Sequence, residues 1–263
     1  MMFRIQIRRL LAASVCLTLA GCAAVGTEPN PADPWEGSNR NMYAVNDAVD
    51  KAIIRPVAEL YSFLIPRPVR TCVNNVFVNI TEPWSGLNSI MQERGHEGIN
   101  TFGRFLLNTT AGIGGCIDVA SMNGLPRVSN DFGVTLGVWG VPSGPYLVLP
   151  LIGSSTIRDG VGDLANLYGN QIVTIGLIKD VPLRNSLWGL EFVSRRDALL
   201  PISKTVDSVA LDPYSFVRDA YLQRREAMIR GNIVEAQDLP DYEDFEAVDA
   251  DKKALGVKKE KSQ

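Results

Sequence analysis

The stretch from Asp131 to Gly162 constrains the fold more than any other part of the chain. It reads DFGVTLGVWGVPSGPY and runs on to Asp159-Gly160-Val161-Gly162. Glycine recurs too often there for a stable regular element, yet the side chains are too apolar for a loop bathed in water. An irregular backbone of that kind must find partners for its amides, either inside protein or along a cavity wall. A functional site is therefore expected here, centred on Gly140, Pro142, Gly144, Pro145 and Tyr146. The prolines and glycines forbid a regular helix, and Tyr146 offers a ring and a hydroxyl suited to an apolar–polar boundary.

The N-terminus says where such a chain resides. Arg4, Arg8 and Arg9 precede an unbroken apolar and small-residue run, Leu10 to Ala20. That run is too short to span a bilayer and matches the hydrophobic region of a secretory signal. It ends in Leu19-Ala20-Gly21-Cys22, which resembles the lipobox of bacterial lipoproteins, with Cys22 as the acylated residue. Ala23 follows where enterobacterial inner-membrane lipoproteins carry Asp, so the implied destination is the outer membrane. Residues 1–21 are thus read as a lipoprotein signal peptide and 22–37 as an acylated stalk. The 38–231 region is read as a helical domain, and 232–263 as a polar, disordered tail rich in Asp and Glu before a Lys-rich end.

Within the mature chain no apolar run approaches the roughly 20 residues of a spanning helix; the most apolar stretches are Tyr146–Ile152 and Ile172–Ile178. The pattern between stalk and tail is helical. Ser38 is placed to cap a helix with Met42, Val45, Val49, Ala52 and Ile53 on one stripe, ending near Pro56. Ile99, Phe102, Phe105 and Leu106 form a second stripe, and Leu187 to Leu200 a third helix. The clearest signal is Pro213 to Arg230, with Asp212 at the cap and Gly231 past the end. Strand alternation is scarce and no Asn-Gly or Asp-Gly hairpin signal sits between two alternating runs, so the expected class is all-α.

Chemistry is sparse. A formal charge of −3 gives no basic surplus for nucleic acid, and one histidine disfavours a His-based metal site. His96 reads as a solvated helix edge. Gly112-x-Gly114-Gly115 and Gly160-x-Gly162-x-x-Ala165 follow no credible strand and make poor nucleotide loops. No Gly-x-Ser-x-Gly elbow is present, so no enzyme, catalytic residue, cofactor or metal is expected. Cys16 leaves with the signal and Cys22 carries lipid, which leaves Cys72 and Cys116 in an oxidising compartment. They either pair or stay as two small buried thiols; pairing is favoured, and closing 44 positions would stabilise by roughly 3–4 kcal/mol.

A family resemblance enters on specific residues. Asp33-Pro34-Trp35-Glu36-Gly37 with Asn39-Arg40, Arg55-Pro56-Val57-Ala58, Glu82-Pro83 and Arg104-Phe105-x-x-Asn108 are similar to the opening of the MlaA (VacJ) phospholipid-transport lipoproteins. Gly112-x-Gly114-Gly115-x-x-Asp118-Val119-Ala120, Phe132-Gly133-x-Thr135-Leu136-Gly137, Gly144-Pro145-Tyr146-x-x-Leu149-Pro150, Gly153-Ser154, Arg158-Asp159 and Asp212-Pro213-Tyr214 continue it in order across about residues 33–225. The resemblance implies a compact helical doughnut in the inner leaflet of the outer membrane, facing the periplasm, with a central amphipathic channel. It implies removal of phospholipids mislocalised in the outer leaflet, association with a trimeric porin, and transfer to a soluble periplasmic carrier, which preserves lipid asymmetry. The family's mobile loop beside the channel corresponds to Gly140 through Tyr146, with Gly140, Gly144, Pro145 and Tyr146 matching. Pro142 stands where some members carry Gly, and Arg184 is near, but not aligned with, a functional basic residue of some members. A structural envelope lipoprotein and a lipid-cleaving enzyme are the alternatives.

Overall fold

The computed structural model describes residues 30–173 and 178–231. The leader, Cys22, residues 22–29 of the stalk, the tail from 232, and most of the Ile172–Ile178 run lie outside the described residues. Regular structure is almost wholly helical. Helix α1 spans Glu36–Val49, a wider π-helical turn spans Asp50–Ile54, and α2 spans Arg55–Leu64. The expected start at Ser38 and stop near Pro56 are both displaced. Glu36 opens the first turn, where its charge favours the helix N-terminus. Pro56 ends nothing, because the π-helical turn delivers it to the first turn of α2, where no intrahelical amide bond is required. Pro66, beyond the extended Ile65, is the true break.

Helix α3 (Arg67–Met91) turns back as α4 (Gly95–Thr110), and the two form the largest helix pair. Short α5 (Val119–Met122) and α6 (Phe132–Val138) follow, capped by the carboxylates of Asp118 and Asp131. A hairpin of β1 (Tyr146–Leu149) and β2 (Gly153–Thr156) leads into α7 (Ile157–Val173). Asp180 caps α8 (Val181–Val209), which contains the expected Leu187–Leu200 helix. Asp212 caps α9 (Pro213–Arg230), which ends on left-handed Gly231 as its sequence predicts.

The mostly helical architecture agrees with the all-α expectation, and one short hairpin is added to it. Tyr146 pairs with Thr156 and Leu149 with Gly153 in antiparallel register. Its turn uses Leu151 at φ 62° rather than Asn-Gly, and the Leu151 amide donates to Asn46 Oδ1 at 2.9 Å. The free edge of β1 is closed by a helix. Asn39 Nδ2 donates to the Tyr146 carbonyl (3.0 Å) while Asn39 Oδ1 accepts from the Val148 amide (3.0 Å). Asn46, two turns along α1, donates to the Leu149 carbonyl at 2.9 Å. Two asparagines stand in for a third strand, which is how a two-stranded ribbon persists without a sheet.

Packing is inverted. Among the described residues nine apolar side chains are buried against nineteen polar or charged ones, and thirty-three large apolar side chains are exposed. In α4 the buried positions are Gly98, Thr101, Arg104 and Asn108, whereas Ile99 and Leu106 are 71% and 61% exposed. Half of the stripe read from the sequence, Ile99 and Leu106, therefore faces outward, while Phe102 and Phe105 are half-buried. Arg104, at the centre of the α3–α4 seam, donates to Glu82 Oε1 (3.0 Å), Ser121 Oγ (3.1 Å), the Leu125 carbonyl (2.6 Å) and both Asp118 oxygens (3.1 and 2.9 Å). Burial acts to raise the Asp118 pKa, but bonds from Ser121, Asn108 and Arg104 outweigh it and hold the carboxyl below its usual range. Glu82 moves the other way, because its burial outweighs Arg104. Cys72 of α3 and Cys116 of the loop after α4 form a disulfide. Among the described residues no helix is long and apolar enough to cross a membrane.

Candidate functional site

Helix α6 ends at Val138, and Gly140 at φ 87° turns the chain so that the Val141 amide reaches the Leu136 carbonyl at 2.9 Å. Both ends of the following loop are pinned to the start of α7. The Arg158 amide donates to the Ser143 carbonyl (3.1 Å) and the Ile157 amide to the Pro145 carbonyl (3.3 Å). Gly144, at φ 66°, lies where a Cβ would sit 3.2 Å from Ile157.

Gly140, Val141, Pro142 and Ser143 form one wall of a cavity of about 690 Å³. The last turns of α9, with Leu222 and Ile229, form the opposite wall, and the Arg158 and Arg225 guanidiniums lie between. This size falls within the range of small-ligand pockets. Gly144, Pro145 and Tyr146 are not among its lining residues. Tyr146 is fully buried in a core cluster with Val148 and Tyr214, its hydroxyl 2.8 Å from Ser154 Oγ. Strand alternation turns Tyr146 and Val148 inward together, so the boundary role read for Tyr146 is corrected: its ring packs edge-on to Tyr214 and Tyr221 (6.3 and 6.1 Å).

The glycines also need a corrected account. Gly133 and Gly137 sit in α6, and Gly160 and Gly162 in α7, so this segment is more regular than its composition implies. Close approach requires glycine at Gly137 and Gly162. A Cβ on Gly137 would meet Ile229 Cδ1 at 2.6 Å and Arg158 Nη1 at 2.9 Å; one on Gly162 would meet the Gly133 amide nitrogen at 2.5 Å.

Two of the lining residues, Arg158 and Arg225, are held from behind the cavity wall by Asp131 and Asp159. Arg225 donates to both oxygens of Asp131 and to Asp159 Oδ1 (2.8 Å). Arg158 donates to the same Asp159 oxygen from Nε (3.0 Å) and Nη2 (2.9 Å), and Tyr221 OH donates to Oδ2 (2.8 Å). Burial acts to raise the Asp159 pKa, but the charge and bonds of Arg225, with Tyr221 and Arg158, leave it below the usual range. Arg158 Nη1 has only a long contact, 3.4 Å to the Val141 carbonyl. At the rim Arg230 and Glu226 form an exposed pair at 2.8 Å. In the sequence Arg158-Asp159 was visible as a motif and Asp131 only as a flanking residue, while Arg225 carried no signal at all.

The remaining candidates lie elsewhere. The disulfide cysteines and Arg184, in the first turn of α8, are not cavity residues. His96 is exposed on α4, 3.3 Å from Asn100. Among the described residues no group of His, Cys, Asp and Glu is arranged to hold a metal ion.

Largely polar buried seams, thirty-three exposed large apolar side chains and a charged cavity beside a Gly/Pro loop define a helical protein with an unusually apolar surface. A family profile described as "MlaA lipoprotein" matches residues 31–228, and the chain belongs to that family. It is 38% identical over 228 residues to the Escherichia coli K12 protein named "Intermembrane phospholipid transport system lipoprotein MlaA", covering 84% of this chain and 88% of that one. A Haemophilus influenzae protein of the same name is 31% identical over 238 residues, covering 86% and 92%. A solved structure described as "Structural basis for maintenance of bacterial outer membrane lipid asymmetry" superposes with a TM-score of 0.64 at 37% identity. That match covers 75% of this chain and 98% of the other.

Proposed function

We propose that this protein removes mislocalised phospholipids from the outer leaflet of the outer membrane and passes them to a soluble periplasmic carrier, so maintaining lipid asymmetry. The observation that carries the reading is the inverted packing: thirty-three large apolar side chains exposed around buried seams such as Glu82–Arg104–Asp118. Such a surface is expensive in water and inexpensive in a bilayer leaflet, where helix pairs are held by polar contacts and close packing. With Cys22 acylated, the domain would lie in the inner leaflet of the outer membrane, doughnut-shaped around an amphipathic channel, beside a trimeric porin. The names of the relatives support transport over the alternatives of envelope bracing and lipid cleavage.

The test is a deletion strain whose outer-leaflet phosphatidylethanolamine is labelled with a membrane-impermeant amine reagent. Labelling should rise in the deletion and return to the parental level on complementation. Unchanged labelling refutes the reading, and purified protein free of phospholipid would favour bracing.

A further inference from the structure

The cavity between the Gly140–Ser143 loop and α9 is lined by three cations, Arg158, Arg225 and Arg230, and one anion, Glu226. Arg158 and Arg225 are offset from behind the wall by Asp159 and Asp131, which do not line the cavity, so lining and backing together are balanced. At its rim Arg230 faces Glu226, with side chains 66% and 57% exposed. The base is stiff, because Arg225 and Asp159 are held by several bonds each. The rim pair is not, since an exposed i,i+4 pair stabilises only weakly and opens at little cost. Arg158 stands between. Its side chain is 5% exposed, two of its nitrogens are fixed on Asp159, and Nη1 has only the 3.4 Å contact to the Val141 carbonyl. That nitrogen lies against Gly137, where a Cβ would come within 2.9 Å of it, and both Gly137 and Val141 are cavity residues.

The geometry points to a headgroup subsite for a zwitterionic glycerophospholipid in this cavity. The proposal rests on the phospholipid-transport reading and adds the class of lipid that the site prefers. The phosphodiester takes the under-committed Arg158 Nη1 and the guanidinium that Arg230 frees. The ammonium takes Glu226, and the glycerol end runs along Val141, Leu222 and Ile229. A balanced site suits a headgroup that is itself balanced. A singly anionic headgroup such as phosphatidylglycerol supplies a phosphate for the arginines but nothing for Glu226, and brings in a charge the site does not offset.

The experiment uses full-length acylated protein in detergent, incubated with phosphatidylethanolamine and phosphatidylglycerol of identical chains at equal amounts. The protein is repurified and its retained lipid counted by mass spectrometry. Wild type should be enriched in phosphatidylethanolamine about two- to fivefold, the range of one exposed ion pair. Glu226→Gln, a change at an exposed position, should bring the ratio to that of the mixture, and Glu226→Lys should invert it. Val141→Trp, which fills the cavity from its wall, should lower retained lipid and abolish the preference. Arg158→Gln should do the same, and Val141→Trp decides the matter if the buried arginine proves essential to folding. Phospholipid retained at the mixture's ratio, or a preference that survives Glu226→Gln or Val141→Trp, overturns the subsite and leaves transport standing. Wild type that retains no phospholipid overturns the transport reading itself.

Discussion

Asn39→Ala tests whether a side chain can hold a strand in place of a neighbouring strand. Asn39 is 3% exposed and makes three hydrogen bonds: to the Tyr146 carbonyl (3.0 Å), from the Val148 amide (3.0 Å) and to Asp33 Oδ1 (2.8 Å). Truncation leaves two β1 backbone groups without partners. Each such group costs about 1–3 kcal/mol when buried, so the variant should lose about 3 kcal/mol if water reaches one of them. Asp33 keeps Tyr214 and Arg218 and adds little to the loss. The loss should be local, so hydrogen exchange is the assay. Protection of the Val148 amide should fall by about two orders of magnitude, since each 1.4 kcal/mol is a factor of ten. Asn39→Asp separates bonding from size: it still accepts from Val148 but cannot donate to Tyr146, and it sets a second carboxylate against Asp33. It should be no better than alanine at neutral pH and should recover as one of the two carboxyls protonates. Val148 exchange as slow in Asn39→Ala as in wild type would refute the reasoning.

Arg104→Met should destabilise the domain by about 3–5 kcal/mol, because it strands the buried Glu82 carboxylate; thermal unfolding in detergent by circular dichroism measures this. The loss should ease as pH falls, since the folded Glu82 pKa is already above its usual 4.5 and its neutral form is the one that suits burial. Cys72→Ser should cost about 4 kcal/mol for a loop of 44 positions, and mass spectrometry of non-reduced, alkylated wild type should find neither thiol modified. Cys22→Ser should abolish palmitate labelling; persistent label would refute acylation at that position.

Much of the fold was legible where local rules decide it. Asp212, Pro213 and Gly231 bracket α9 because caps act within a turn of their own position. The hairpin was not legible, because the groups that satisfy it, Asn39 and Asn46, lie 107 and 103 residues from their carbonyl partners. Periodicity found the Ile99–Leu106 stripe but could not say what it faces, since the spacing of an apolar face is the same whether it meets protein, water or lipid. The glycines and prolines of the Gly140–Tyr146 segment pointed toward the candidate cavity, but Gly140 and Pro142 only shape its wall. The buried guanidiniums that give it character come from Arg158 and from Arg225 on a distant helix, and the Tyr146 ring, the conspicuous aromatic of the motif, belongs to the core.

The inverted packing also bears on how the domain keeps one shape. A water-soluble core gains stability from every buried methylene and tolerates repacking as long as volume is conserved. Here the buried seams consist of Arg104 with Glu82 and Asp118, Arg158 and Arg225 with Asp131 and Asp159, and Arg218 and Tyr214 with Asp33. Each such group has a small set of partners at fixed distances, and any other arrangement leaves a charge buried without one. The same seams join segments far apart in the chain: Asp33 meets α9, and Asp131 and Asp159 meet it through Arg225. The segment before α1, the backing of the cavity wall and the final helix are therefore held by one kind of interaction. With so few buried apolar side chains, hydrophobic burial does little to separate the folded packing from misfolded ones, and this polar specificity is what selects the fold.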